Sequence, residues 1–382
     1  MSLTDILHFC ETERDWVVET TTALAREESP TQDKAAVDRC GAELARRLEA
    51  IGATVETIAR EEVGNLLRAT VGDGESQLLV LGHFDTVWPV GQIKRMPIRS
   101  EAGRLHGPGV YDMKAGIAIA MLAVRALNSV NDGIVPRKRL VMLWTTDEER
   151  GSRSSREVLE EEARHSEAVL VLEPSLENGA VKTGRKGCGE FELTVRGVAA
   201  HAGIEPAQGA SAVHELAAQI VGLEALQDLQ RGVSINVGVV EGGSRPNVVA
   251  EQARALVDVR AETAAGARWL QEAFAALRPG LPRTELTVRG GFSRPPLERT
   301  AAVVRLYQMA REIAARYGRD LGEGSTGGGS DGNLTAAVGA PTLDGLGAVG
   351  AGAHALHEHV EIDHLPWRAA MLAGLIRRLD RT

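Results

Sequence analysis

The stretch LVMLWTTDEERGS, residues 140–152, decides how this sequence is read. Apolar residues from Leu140 to Trp144 run into two threonines and then into Asp147, Glu148 and Glu149. A short apolar run bounded by polar residues reads as a strand buried on both faces. Carboxylates beyond its C-terminal end stand where an open α/β sheet places its site. Three in a row pose a question, because unpaired carboxylates packed together repel and are costly to bury.

Outward from this stretch, residues 53–59 (ATVETIA), 66–71 (LLRATV), 77–85 (QLLVLGHFD) and 168–174 (AVLVLEP) read as further strands. Residues 113–127 (MKAGIAIAMLAVRAL) read as a buried helix between them. The alternation predicts an α/β sheet covered by helices. The pattern changes near residue 186. In GEFELTVRG, residues 189–197, Phe191, Leu193 and Val195 fall on one face and Glu192, Thr194 and Arg196 on the other. That is the signature of a half-exposed strand. A helix (210–226), two strands (SINVGVVEGG and ALVDVRAE), a helix (GARWLQEAFAAL) and a strand (TELTVRGGF) follow. The order βαββαβ is a ferredoxin-like plan, with one helix-covered face and a free edge open to pairing. FSRPPLERT (292–300) reads as the linker back, GEGSTGGGSDGN as a Gly-rich loop, and AAVVRLYQMAREIAARYG and PWRAAMLAGLIRRLD as helices. Pro366 sits in the permitted first turn of the last one. The expected organisation is a first domain in two parts, 1–185 and 295–382, with a second, 186–294, inserted.

The bulk properties agree. A chain of 382 residues suits two domains. Its 43% hydrophobic and 25% charged content is that of a soluble globular protein. A net charge of −9 and only 3% aromatics argue against nucleic acid as a partner. Carboxylates in excess can instead hold divalent cations. Cys10, Cys40 and Cys188 are scattered and odd in number, as reduced thiols are. The N-terminus lacks a basic, apolar leader, and no later stretch is long and apolar enough to span a membrane. A cytoplasmic protein is expected.

Several expected strand ends carry groups able to bind metal. His83 and Asp85 lie two apart and share a face if extended. Glu148 and Glu149 follow one strand, and Glu173 ends another. Asp112 sits where a Gly-Pro-Gly loop meets a helix, and His354, His357 and His359 crowd the C-terminal region. Singly, each has an ordinary explanation: a turn, a helix cap or a surface histidine. Together they converge on one sheet edge. Two divalent cations would relieve the repulsion, and mixed histidine–carboxylate sets suit zinc.

In chain order, GHFDTV, GPGVYDMKAG, TTDEERGS, LEPS, AHAG, GGSRPNVV and GAHALHE resemble the motifs of the M20 family of metallopeptidases. The resemblance is greatest to glutamate carboxypeptidases of the carboxypeptidase G2 type, and it covers roughly residues 15–380. It implies a zinc-exopeptidase-like α/β/α catalytic domain with an inserted ferredoxin-like α+β dimerisation (lid) domain. By matching position, His83, Asp112 and Glu173 would hold one zinc and Asp112, Glu149 and His354 the other, with Asp112 bridging. Cobalt or manganese could replace zinc. Asp85 would orient His83 by accepting its other ring N–H. Glu148 would be the general base. The family often has Asp-Asp where this chain has Asp112-Met113; Met113 cannot be a ligand, and the bridging carboxylate is the first of the pair. The family's spacing of His, three residues, then Glu selects His354 with Glu358 over His357 and His359.

The same resemblance places His201 in the partner subunit's site, and hence implies a homodimer. Asn247 and Arg260 would contact substrate, Arg260 by gripping a carboxylate. Backbone N–H groups around Gly327, Gly328 and Gly329 could serve the same end. The Gly-rich segment is not a phosphate loop, since the Gly-Lys-Ser/Thr ending is absent. The expected activity is hydrolysis of an amide bond that releases a C-terminal amino acid with a free carboxylate, on a small peptide or N-acyl amino acid. The alternative is an N-acyl-amino-acid deacylase, such as an acetylornithine or succinyl-diaminopimelate deacylase. A catalytically inactive dimeric binding protein would be expected to lack a ligand or the base. His83, Asp112, Glu148, Glu149, Glu173 and His354 are all present.

Overall fold

Strand polarity and burial set the position of the site. The computed structural model describes residues 2–130 and 137–381. Its large sheet is built from Thr54–Ile58 (β1), Leu66–Val71 (β2), Gln77–His83 (β3), Arg139–Thr145 (β4) and Ser166–Val171 (β5), with the short strand Thr342–Leu343 beyond β5. The order across the sheet is β1-β2-β4-β3-β5-Thr342–Leu343. β3 lies at the centre and runs parallel to both β4 and β5. β1 and β2 form an antiparallel edge. Three parallel strands therefore end side by side, which is where an open α/β sheet carries its ligands.

Every residue of β3 is buried, and successive side chains serve opposite faces. Leu78 and Val80 join the larger core, against the helices Lys34–Ala50, Ala115–Val130 and Leu365–Leu379. Leu79 and Leu81 join a smaller core, with Leu159 and Ala163 of the helix Arg156–Arg164 and Leu334 of Asp331–Ala337. Met142 and Trp144 of β4 face the first core, Val141 and Leu143 the second. The continuous apolar runs are thus a consequence of helices on both faces. No described helix is long and apolar enough to cross a membrane.

The described residues divide into two compact units. One comprises residues 2–130, 137–184, 299–325 and 330–381; the other comprises 185–298 and 326–329. The second unit contains Gly187–Arg196 (β6), Ser234–Gly242 (β7), Gln252–Ala261 (β8) and Glu285–Arg294 (β9), with helices Ala212–Glu224 and Ala264–Ala275. The antiparallel sheet runs β7-β8-β6-β9, the ferredoxin-like order. Phe191, Leu193 and Val195 are buried, with Glu192, Thr194 and Arg196 more open. Phe191 stacks on Phe274 with ring centroids 4.0 Å apart.

Three details depart from the sequence expectation. The segment read as a Gly-rich loop holds a strand, Glu323–Thr326, paired with Val181–Arg185, and opens the helix Asp331–Ala337. Ser330 caps that helix, accepting from the Gly332 N–H. β9 continues to Arg294, so the linker is shorter than 292–300.

Candidate metal centre

The three carboxylates of the opening stretch have three different surroundings. β4 ends at Thr145, and Glu148–Arg150 forms a single 3₁₀ turn. Asp147 builds that turn. Its carbonyl accepts from Arg150 N–H at 3.2 Å and Ser152 N–H at 2.8 Å, and its Oδ2 from Ser154 N–H at 2.7 Å. Asp331 braces it from the other core, accepting from Thr145 Oγ1 at 2.8 Å and from the Ser152 hydroxyl. Glu148 is buried, and one of its oxygens lies within 4.8 Å of donor atoms of both His83 and Glu173. Glu149 turns towards His354, 3.1 Å from its Nε2. Adjacent residues thus serve a structural carboxylate and two site carboxylates.

Other chain segments complete the cluster. His83 ends β3, and its Nε2 lies 3.2 Å from Asp112 Oδ1 and 3.4 Å from Glu173 Oε1. Glu173 follows β5 and is held by the backbone: its carbonyl accepts from Gly347 N–H at 3.0 Å. A Cβ at Gly347 would sit 2.1 Å from the Leu172 carbonyl oxygen, so only glycine allows this approach. Asp112 precedes the helix Ala115–Val130, and its Oδ2 is 3.4 Å from His354 Nε2. Asp112 therefore stands between the two histidines. His354 has φ +62°, a left-handed conformation uncommon for a non-glycine residue though less so for histidine. Ligand atoms of His83, Asp112 and Glu149 lie within 4.8 Å of one another, as do those of His83, Glu148 and Glu173.

Of the three C-terminal histidines, His354 is the one that reaches Asp112 and Glu149. His359 packs against the His106 ring at 5.3 Å and pairs through Nδ1 with the His357 carbonyl at 2.9 Å. Met113 is fully buried; its sulfur takes the His83 N–H at 3.4 Å and its side chain crowds Gly82 and Gly116. The position after Asp112 therefore faces the core, which accounts for an apolar residue there. Asp85 differs in detail from expectation. Its Oδ1 lies 3.2 Å from His83 Nδ1, but the hydrogen bond from that ring nitrogen goes to the Asp85 carbonyl at 3.1 Å. Its Oδ2 accepts from Thr31 Oγ1 at 2.8 Å and Glu149 N–H at 3.3 Å. Asp85 thus ties the His83 segment to the Glu149 segment.

The electrostatics show why this cluster suits cations. Burial opposes a charge on His83, yet Asp112, Asp85 and Glu173 hold its ring well above the usual imidazole range. Asp112 and Glu149 raise His354 to about 10. Burial opposes ionisation of Asp112, but His354 and His83 keep its carboxyl far below the ordinary carboxylate range. Protons on the imidazoles thus balance the carboxylates. A divalent cation would displace them, since metal-binding imidazole is neutral. Buried His83 Nε2 and Asp112 Oδ1 have no hydrogen-bond partner although they face each other. Imidazole nitrogens and carboxylate oxygens are ligand types that hold divalent cations, zinc among them.

The candidate substrate residues lie in the second unit. His201 and Asn247 are exposed; His201 pairs with Val248 across a short backbone bridge, in which Ala202 N–H donates to the Asn247 carbonyl at 3.0 Å. Arg260 is engaged: its fork donates to Asp258 at 2.9 and 2.7 Å, and its third nitrogen touches the Cys188 sulfur. The Gly328 carbonyl accepts from Arg185 at 3.1 Å. In the sequence, Glu358 stands out only by its spacing from His354. It is a buried carboxylate that accepts four N–H groups, and burial pushes its carboxyl up to about 7 despite them.

Residues 79–378 match peptidase family M20/M25/M40. The chain is 30% identical over 377 residues to carboxypeptidase G2 of Pseudomonas sp. (strain RS-16), covering 96% of this chain and 90% of that protein. It is also 30% identical over 364 residues to succinyl-diaminopimelate desuccinylase of Xylella fastidiosa (strain 9a5c), covering 89% and 93%. Its fold matches the crystal structure of aminopeptidase PepT from Bacillus cereus ATCC 10987 with a TM-score of 0.78, at 22% identity and over 96% and 98% of the two chains. The chain belongs to peptidase family M20/M25/M40 and is a metal-dependent hydrolase of peptide or amide bonds.

Proposed function

We propose that this hydrolase releases a C-terminal amino acid bearing a free carboxylate from a small peptide or N-acyl amino acid, at a centre of two zinc ions. The observation that supports it most is Asp112 standing within 3.2 Å of His83 and 3.4 Å of His354. In this reading His83, Asp112 and Glu173 hold one ion, and Asp112, Glu149 and His354 hold the other. Bound metals would acidify a water and polarise the scissile carbonyl. Glu148 takes the proton from the attacking water and hands it to the leaving amine. Its burial beside His83 and Glu173 keeps bulk water from competing for that proton. Asp85 keeps the His83 ring and the Glu149 backbone in register.

Recognition is assigned to the second unit. Arg260 grips the α-carboxylate of the leaving amino acid, Asn247 and Gly328 add polar contacts, and His201 serves the site of a partner protomer in a homodimer. Likeness to carboxypeptidase G2 favours a glutamate-like leaving residue. Likeness to succinyl-diaminopimelate desuccinylase favours a second reading, in which the acyl group is a small diacid and the amine is basic. The proposed setting is the cytoplasm.

A substrate panel tests this. Free amino acid would be measured from N-acyl and dipeptide substrates with varied C-terminal residues, with added Zn²⁺ and with chelator. Chelator-sensitive release of glutamate from aroyl or peptidyl substrates supports the carboxypeptidase; preference for succinyl or acetyl groups on basic amino acids supports the deacylase. No metal-dependent release across the panel sinks both. The His201 role predicts that mixing His201→Ala with Glu149→Ala protomers restores about one working site per heterodimer. No recovery on mixing contradicts it.

A further inference from the structure

A buried acid beside the metal centre has no role in the chemistry above. Glu358 is 1% exposed. Its Oε1 accepts from the backbone N–H of Tyr111 at 2.9 Å and of Asp112 at 3.2 Å. Its Oε2 accepts from Gly109 N–H at 3.0 Å and from Trp88 Nε1 at 2.7 Å. These N–H groups come from the loop that ends in Asp112 and from the segment after His83. Three backbone donors converge because the loop is not helical there. Gly109 has φ +71°, and a Cβ on it would sit 2.7 Å from Thr86 Cγ2. Asp112 and Met113 also depart from helical geometry. Buried donors of this kind need an acceptor, and the Glu358 carboxylate supplies one to each.

The same residue is tied to the other candidate ligand segment. Glu358 N–H closes the turn 355–358 onto the Ala355 carbonyl at 3.0 Å, one residue from His354. Asp112 must present one oxygen towards His83 and the other towards His354. Its backbone position is set by Glu358, and the segment that carries Glu358 also carries His354.

We propose that Glu358 is a positioning residue for the metal centre: it fixes the Asp112 backbone relative to the His354 segment, so that metal affinity depends on its carboxylate. This rests on the two-metal reading above. Shortening the side chain or removing its charge leaves the five candidate ligands untouched while loosening the one that bridges.

The test uses the full chain and Zn²⁺ alone. Zinc affinity and stoichiometry would be measured by competition with a chromophoric chelator for wild type, Glu358→Gln and Glu358→Asp. Co²⁺ absorption spectra would report the coordination geometry. Thermal unfolding of the metal-free forms would register stability separately. The expected result is zinc affinity lowered about 10–100-fold in Glu358→Gln, with an altered Co²⁺ spectrum. Glu358→Asp keeps the charge but cannot reach all four donors, so an intermediate loss is expected. It also stands in if Glu358→Gln does not fold. A lower unfolding temperature with wild-type zinc affinity and spectrum would make Glu358 merely structural and overturn the proposal. Wild type that takes up fewer than two zinc equivalents would instead strike the two-metal reading.

Discussion

The two units treat their polar residues in opposite ways. In the α/β unit, segments far apart in sequence deliver His83, Asp112, Glu173, Glu149 and His354 to contacts of 3.1–3.4 Å. His83 is buried there and Asp112 half-buried, and the buried His83 Nε2 and Asp112 Oδ1 atoms face each other without a hydrogen-bond partner. In the ferredoxin-like unit, His201 and Asn247 are exposed and Arg260 is already paired with Asp258. Strand ends of a buried parallel sheet fix side chains by packing on both faces, whereas residues on an open sheet face can exchange partners. The cluster in the α/β unit is thus assembled by the fold itself, whereas the recognition role proposed for the second unit requires its polar groups to trade one partner for another.

The largest effect that separates the two regions is expected from Glu148→Gln. It should lower kcat by about 10²–10⁴-fold while zinc content and KM stay near wild type. Metal analysis beside steady-state kinetics checks this, and full turnover in that variant contradicts the assignment of the base. Next comes Met113→Ala, which removes a buried side chain beneath His83. It should cost about 2–5 kcal/mol of stability, read by denaturant unfolding. An unchanged midpoint would contradict the packing described for that position. Arg260→Ala tests the recognition side. It should reduce kcat/KM about 10–100-fold, as for loss of a charged hydrogen bond, with metal content unchanged. The smallest change is expected from Asp258→Asn, which frees the Arg260 fork. Because that pair is partly exposed, KM should fall by at most about fivefold. A rise in KM would show that Asp258 orients Arg260 rather than competing for it.

Much of this was legible in the residues, for physical reasons. A strand covered on both faces must be apolar at every position, so β3 and β4 stand out, and polar groups at their ends are conspicuous. The strict alternation of 189–197 could only suit a sheet with one covered face. Other features were hidden because they depend on who meets whom. Nothing in the sequence says that Asp147 builds a turn while its neighbours face a site. Glu358 reads as a spare carboxylate near a histidine, since three of its partners are backbone N–H groups more than 240 residues away and the fourth is the Trp88 indole, farther still. One pairing is visible in the sequence itself. Asp258 and Arg260 are two apart on a strand, so they share a face and can pair.

The central claim is that the cluster at the ends of β3, β4 and β5 holds two metal ions bridged by Asp112. Zinc titration of metal-free wild type and Asp112→Asn tests it most directly. The account predicts two tightly bound equivalents in wild type, and loss of tight binding of at least one in the variant. Two equivalents bound equally tightly by both proteins would contradict it.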